Sequence, residues 1–281
     1  MLNKIAELKI HKFKKGNPLE EFDEFVTIVK KLRNECPWDR EQTHKSVRHL
    51  LLEETYEVLE AIDSKNYEEL KKELGDVLLH VAFNAVIAEG NGKFDLKDVL
   101  NAINQKLISR HPHVFGNVKV SGTGEVLKNW EHIKLGEGSR RSILEGVPKQ
   151  LPALTRAYRL QEKSSKVGFD WDTSEDAFKK ISEELQEFKD AAEKRKKVKG
   201  KVKDNALSDL EDELGDILFA IVNYSRFLNI NPENALRKTI SKYIKRFHYI
   251  EDTLKKRGKK ITESDLEEMD GIWNESKKHI P

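Results

Sequence analysis

The sequence predicts an all-α chain built from two copies of one four-helix plan. Two observations carry that prediction. Apolar residues recur every three or four positions through most of the chain, the spacing of helices with one buried face. An acidic segment also occurs twice in the same order. Glu53, Glu54 and Glu57 form an EExxE pattern followed by Glu73 and Asp76 in an ELGD run; Glu183, Glu184 and Glu187 are followed by Glu213 and Asp216 in another. Each ELGD run leads directly into an apolar stretch, Val77 to Phe83 and Ile217 to Val222. Carboxylates therefore sit beside residues that favour burial.

Residues 1–18 form a lysine-rich extension closed by the turn Gly16-Asn17-Pro18. From Leu19, the series Phe22, Phe25, Val26, Val29 and Leu32 predicts a helix to about Asn34. Cys36-Pro37-Trp38-Asp39 ends it, because a proline biases the preceding residue away from helical backbone. The next helix runs from His44 or Lys45 to Asp63, with Val47, Leu51, Glu54, Val58 and Ala61 along one stripe. Glu54 lies between Leu51 and Val58 on that stripe, so it faces the packed side.

A third helix, Tyr67 to Ala88, brings Glu73 and Asp76 to one face. Gly75 between them gives up about 1 kcal/mol of helix propensity relative to alanine, which is bearable where another backbone or a ligand must come close. Glu89 to Lys93 reads as a loop and Leu96 to Arg110 as a fourth helix with Lys106 and Arg110 one turn apart; Pro112 stops it.

Residues 116–150 form a glycine-rich connector with a short helix around Val126 to Ile133. The plan then restarts. A helix from about Leu151 to Ser165 precedes the turn Gly168-Phe169-Asp170-Trp171-Asp172, and a helix from Ser174 to Lys194 carries the second EExxE. A very basic insert at 194–203 separates it from a helix over Ser208 to Leu228, and a last helix, Pro232 to Leu254, presents Lys242 and Arg246. The charged tail includes a short helix at Asp265 to Trp273. The expected organisation is an extension (1–18), a first domain (19–115), a connector (116–150), a second domain (151–256) and a tail (257–281).

Composition bounds the function classes. Among 281 residues, 51 Lys plus Arg against 49 Asp plus Glu leave a formal charge of only +2, so nothing global demands a nucleic-acid or acidic-membrane partner. The lone Cys36 excludes an intrachain disulfide and fits a reducing compartment. The N-terminus is too interrupted by charge for a secretory apolar core, and no run approaches a membrane span, so a cytoplasmic protein is expected.

One Glu-rich helix would read equally well as a solvated face. Recurrence of the whole pattern favours convergence on a hard divalent cation with oxygen ligands, most simply Mg²⁺. Magnesium on carboxylates, with lysine and arginine close behind, suits chemistry on polyphosphate. Lys106 with Arg110 and Lys242 with Arg246 are candidates to neutralise phosphate charge. Trp38, Phe169 and Trp171 lie just upstream of the acidic helices, where a planar base could stack on them; the alternative is a turn anchored by an aromatic plug. The histidines make no zinc pattern, and neither a GxxxxGK loop nor a GxSxG turn is present. Direct attack by water is then the simplest mechanism, with Glu54 or Glu184 accepting its proton because of their inward position.

These residues carry a family resemblance. Cys36-Pro37-Trp38-Asp39 with Gln42-Thr43-His44, the EExxE and ELGD runs, Arg110 to Phe115, the connector around Trp130 to Leu154 and Val167 to Trp171 resemble MazG, the nucleoside triphosphate pyrophosphohydrolases. The resemblance spans roughly residues 22 to 254. It implies tandem MazG domains whose helical bundles are completed in a homodimer, and Mg²⁺-dependent hydrolysis of a nucleoside triphosphate to monophosphate and pyrophosphate by attack at the α-phosphorus. It further implies Glu53, Glu54, Glu57, Glu73 and Asp76 as the first metal set, and Glu183, Glu184, Glu187, Glu213 and Asp216 as the second. In the family the second domain is often the main catalytic one, but here both acidic sets are complete. When Lys106 is matched to Lys242, Asn104 falls opposite Ile240, so an amide that could bind substrate is lost from the second copy. Two other readings stand beside this one: a hydrolase restricted to dUTP or modified triphosphates, and a nucleotide-sensing protein without turnover.

Overall fold

The computed structural model describes residues 17–126, 129, 133, 142–197 and 202–280, and every regular element among them is helical. The chain divides into two compact units, Met1–Gly138 and Ser139–Pro281.

The first unit begins with α1 (Pro18–Glu35). Asn17 caps it, its side chain accepting from the Leu19 amide, and Pro18 occupies the first turn, where a missing N–H matters least. The sequence suggests only a stop at Cys36, but Pro37 also starts a short helix, α2 (Pro37–Glu41). The same proline logic produces α6 (Pro112–Phe115) directly after α5 (Leu96–Arg110). Between them lie α3 (His44–Ser64), opened by a Thr43–Ser46 capping box, and α4 (Tyr67–Gly90), capped by Asn66. Lys65, in left-handed backbone at φ 57°, and Asn66 form the tight link between α3 and α4. Helices α1 and α3 pack on α4 around Val29, Val47, Ala82, Phe83, Val86 and Ile87.

The second unit repeats the theme with α7 (Ala153–Ser165), α8 (Ser174–Lys197), α9 (Val202–Phe227) and α10 (Pro232–Lys256). Helices α8 and α9 lie along one another, and α7 packs on α9. Buried Gln161 on α7 donates to the Phe219 carbonyl at 2.9 Å. Both α8 and α9 extend into the expected basic insert; residues 198–201 of that insert, and most of the expected connector helix at 126–133, lie outside the described residues.

The tail docks on α10. A 3₁₀ turn (Ile261–Glu263) leads to α11 (Leu266–Ser276), which buries Ile272 against Ile250 and Leu254 with Met269 and Trp273 beside them. No described helix is long and apolar enough to cross a membrane.

Apolar side chains remain on one face of each ELGD helix. Leu74, Leu78 and Val81 on α4 are 52%, 42% and 42% exposed, and their register counterparts on α9, Leu214, Leu218 and Ile221, are 47%, 46% and 43% exposed.

Candidate functional site

Two carboxylate clusters form where the repeat predicts them. Ligand atoms of Glu54, Glu57 and Glu73 lie within 4.8 Å of one another, as do those of Glu184, Glu213 and Asp216. Each cluster joins an EExxE helix (α3, α8) to an ELGD helix (α4, α9). Glu73 and Glu184 are buried. Glu53, Asp76, Glu183 and Glu187 fall outside these triads, although Asp76 is near enough to push the Glu54 carboxyl upward.

Burial and like charge act together here. Burial raises the Glu54 carboxyl first, followed by the charges of Asp76, Glu57 and Glu53. Glu73 is pushed up to about 7 by burial and by hydrogen bonds shared with Glu57 and Glu69. Burial also raises Glu213, helped by Glu187, Asp216 and Glu184. Its Oε2 is buried with no hydrogen-bond partner. A buried carboxylate oxygen without a donor is costly, and a divalent cation with oxygen ligands relieves both that cost and the mutual repulsion. The donor sets therefore fit a divalent metal. Beside the second triad lies a cavity of about 230 Å³ lined by Glu187, Asp190, Ala191, Lys194, Asp209 and Glu213.

The triads differ in their surroundings, and the repeat pattern does not announce the difference. Lys180, one turn before Glu184, places Nζ 2.7 Å from Glu184 and 2.8 Å from Glu183, and these bonds raise its own pKa. Its counterpart in the first unit is Leu50. There, His80 Nε2 stands 4.0 Å from Glu54, and burial lowers the pKa of the ring. The i,i+4 spacing of Lys180 to Glu184 and of Asp76 to His80 was the available signal.

The remaining candidates are dispersed. Asn104 and Lys106 are exposed on α5, Arg110 is half-buried at its end, and Lys242 is half-buried on α10. Arg246 faces the tail: Nε and Nη2 donate to the Ile280 carbonyl at 3.1 and 2.8 Å, and its guanidinium stands 5.7 Å over Trp273. Trp38, Phe169 and Trp171 are 57%, 82% and 44% exposed, so none is a buried plug.

The model for the MazG nucleotide pyrophosphohydrolase domain matches twice, at residues 42–115 and 172–250. The chain belongs to the MazG family. It is 46% identical over 260 residues to the nucleoside triphosphate pyrophosphohydrolase/pyrophosphatase MazG of Thermotoga maritima, covering 91% of this chain and 95% of that protein. It is 41% identical over 266 residues to the nucleoside triphosphate pyrophosphohydrolase of Escherichia coli K12, covering 92% of this chain and 98% of that one. A crystal structure of a mazG-related protein from Thermotoga maritima aligns at 25% identity with a TM-score of 0.37, over 40% of this chain and 98% of its own. Each MazG match contains one complete carboxylate triad.

Proposed function

We propose that this MazG chain hydrolyses nucleoside triphosphates to nucleoside monophosphates and pyrophosphate, with residues 19–115 and 151–256 as its two domains. The observation that carries this reading is a partly buried carboxylate triad in each half of a tandem family match, two of its three members (Glu54 and Glu184, Glu73 and Glu213) at matching positions. Glu54, Glu57 and Glu73, with Glu53 and Asp76 near them, would hold Mg²⁺ in the first domain. Glu184, Glu213 and Asp216, with Glu183 and Glu187, would do so in the second. Bound Mg²⁺ would supply Lewis-acid neutralisation of phosphoryl charge and acidify water.

The side chains divide the remaining work. Glu54 or Glu184 accepts the proton of the water whose oxygen bonds to the α-phosphorus. The bond from that phosphorus to the bridging oxygen breaks, and its electron pair leaves with pyrophosphate. Lys106, Arg110 and Lys242 neutralise the departing charge. Arg246 joins them only by releasing the Ile280 carbonyl. Trp38, Phe169 and Trp171 border the base, and Asn104 offers an amide in the first domain alone.

The matching apolar stripes on α4 and α9 support completion of the helical bundles in a homodimer, because two contiguous exposed faces in one chain are the signature of a covered surface. Pyrophosphate release from ribo- and deoxynucleoside triphosphates with Mg²⁺ tests the proposal, using E54Q and E184Q separately and together. The double variant should lose at least 100-fold in rate with helical circular dichroism intact; unchanged turnover would sink the assignment.

A further inference from the structure

The turns that carry Trp38 in the first unit and Phe169 and Trp171 in the second are each clamped by a half-buried arginine, and the two arginines have unlike origins. Arg33 comes from α1, the helix before its turn. Its Nη1 donates to the Asp39 carbonyl and, at 3.0 Å, to the Gln42 carbonyl. These carbonyls lie at the C-terminal end of α2, where a cation is favoured; that of Asp39 also accepts the Gln42 amide at 3.2 Å. Arg226 comes from α9, beyond the acidic helix. Nη1 donates to Asp170 Oδ2 at 2.8 Å; Nη2 donates to Asp170 Oδ1 and, at 3.0 Å, to Asn223 Oδ1. Asp170 Oδ1 also accepts the Trp171 amide at 3.0 Å, so this two-pronged pair reaches the backbone of the ring-bearing residue itself.

Both guanidinium groups end at one register point. Arg33 stands 5.9 Å over the ring of Phe83, seven residues after Asp76, and Arg226 bonds Asn223, seven residues after Asp216. The two units have thus arrived at the same brace from different helices. An aromatic turn that served only to fill the core would bury its rings, whereas these rings stand in solvent. Bracing an exposed ring removes the ordering cost that a loose one would bear on meeting a ligand.

We infer that Arg33 and Arg226 are positioning residues that preorganise the aromatic turns for the nucleoside half of the substrate. The inference rests on the triphosphate reading above. Inorganic tripolyphosphate, which has no base, separates the two halves. In the full-length double variant R33M/R226M, KM for the best substrate among ATP, GTP, CTP and UTP should rise about tenfold. The inhibition constant of tripolyphosphate should move less than twofold. R226K, which keeps the charge but not the fork, should fall between wild type and R226M. An unchanged KM, or equal losses for nucleotide and tripolyphosphate, overturns the inference. If the wild type releases no pyrophosphate, the functional reading has failed instead. The clamp is then read by hydrogen exchange, where amides 168–173 should exchange at least tenfold faster in R226M while those around Glu184 stay unchanged. No acceleration there also overturns it.

Discussion

Lys180 holds Glu184 at 2.7 Å, so the second carboxylate cluster already contains one positive charge, while among the described residues none stands within hydrogen-bonding reach of Glu54 in the first. A metal entering the second site competes with that ammonium. K180M should therefore bind Mg²⁺ about tenfold more tightly by calorimetry. It should also lower the melting temperature of the metal-free chain, because Glu184 is left buried and unpaired.

The first cluster makes the metal-free protein sensitive to pH in the opposite sense to an ordinary salt bridge. Burial and shared hydrogen bonds hold the Glu73 carboxyl at about 7, above its usual 4.5, so the folded state binds this proton more tightly than the unfolded chain. Its contribution to stability is fully present below pH 4.5 and is lost as pH rises through about 7. Melting temperatures in EDTA should show that decline, E73Q should flatten it, and saturating Mg²⁺ should reverse it.

Docking of α11 rests on apolar burial fixed by one carboxylate. Leu254→Ala should cost about 3 kcal/mol in chemical denaturation, as expected for a fully buried leucine. Glu268 is held down at about 2, chiefly by Lys259 and then by Ser264 and Arg257. Its contribution is present above the ordinary 4.5 and fades as pH falls through about 2. E268Q should weaken the near-ultraviolet dichroism of Trp273 at neutral pH and remove that acid dependence.

Gly75 and Gly215 sit inside helices where an added Cβ would meet no described atom within 4 Å. The close approach that would justify a glycine is therefore made to neither by the described residues. Gly75→Ala should add about 1 kcal/mol to the stability of the isolated chain. The same substitution should weaken self-association or metal-dependent turnover, measured by analytical ultracentrifugation and pyrophosphate release.

Legibility in the sequence follows the reach of each interaction. Helix spans and the carboxylates at one turn's spacing were readable because backbone periodicity fixes them locally. Thus Leu96–Arg110 has the expected bounds, and Glu54 and Glu184 turn inward with the triads around them. The short α2 was hidden because Pro37 both ends one helix and suits the first turn of another. The docking of α11 was hidden because charged residues dilute the Met269, Ile272 and Trp273 pattern. Arg246 reads as a phosphate ligand from its spacing to Lys242, but its bond to Ile280 spans 34 residues and no local rule announces it. Arg226 and Asp170, 56 residues apart, were out of reach for the same reason.

The matching stripes on α4 and α9 also have a consequence for how firmly the molecule holds its shape. If a second copy covers Leu74, Leu78 and Val81 with their counterparts, unfolding must be preceded by or coupled to dissociation. Mass action then enters the folding equilibrium. Dilution alone should lower the melting temperature, so abundance in the cell would help set the durability of each chain.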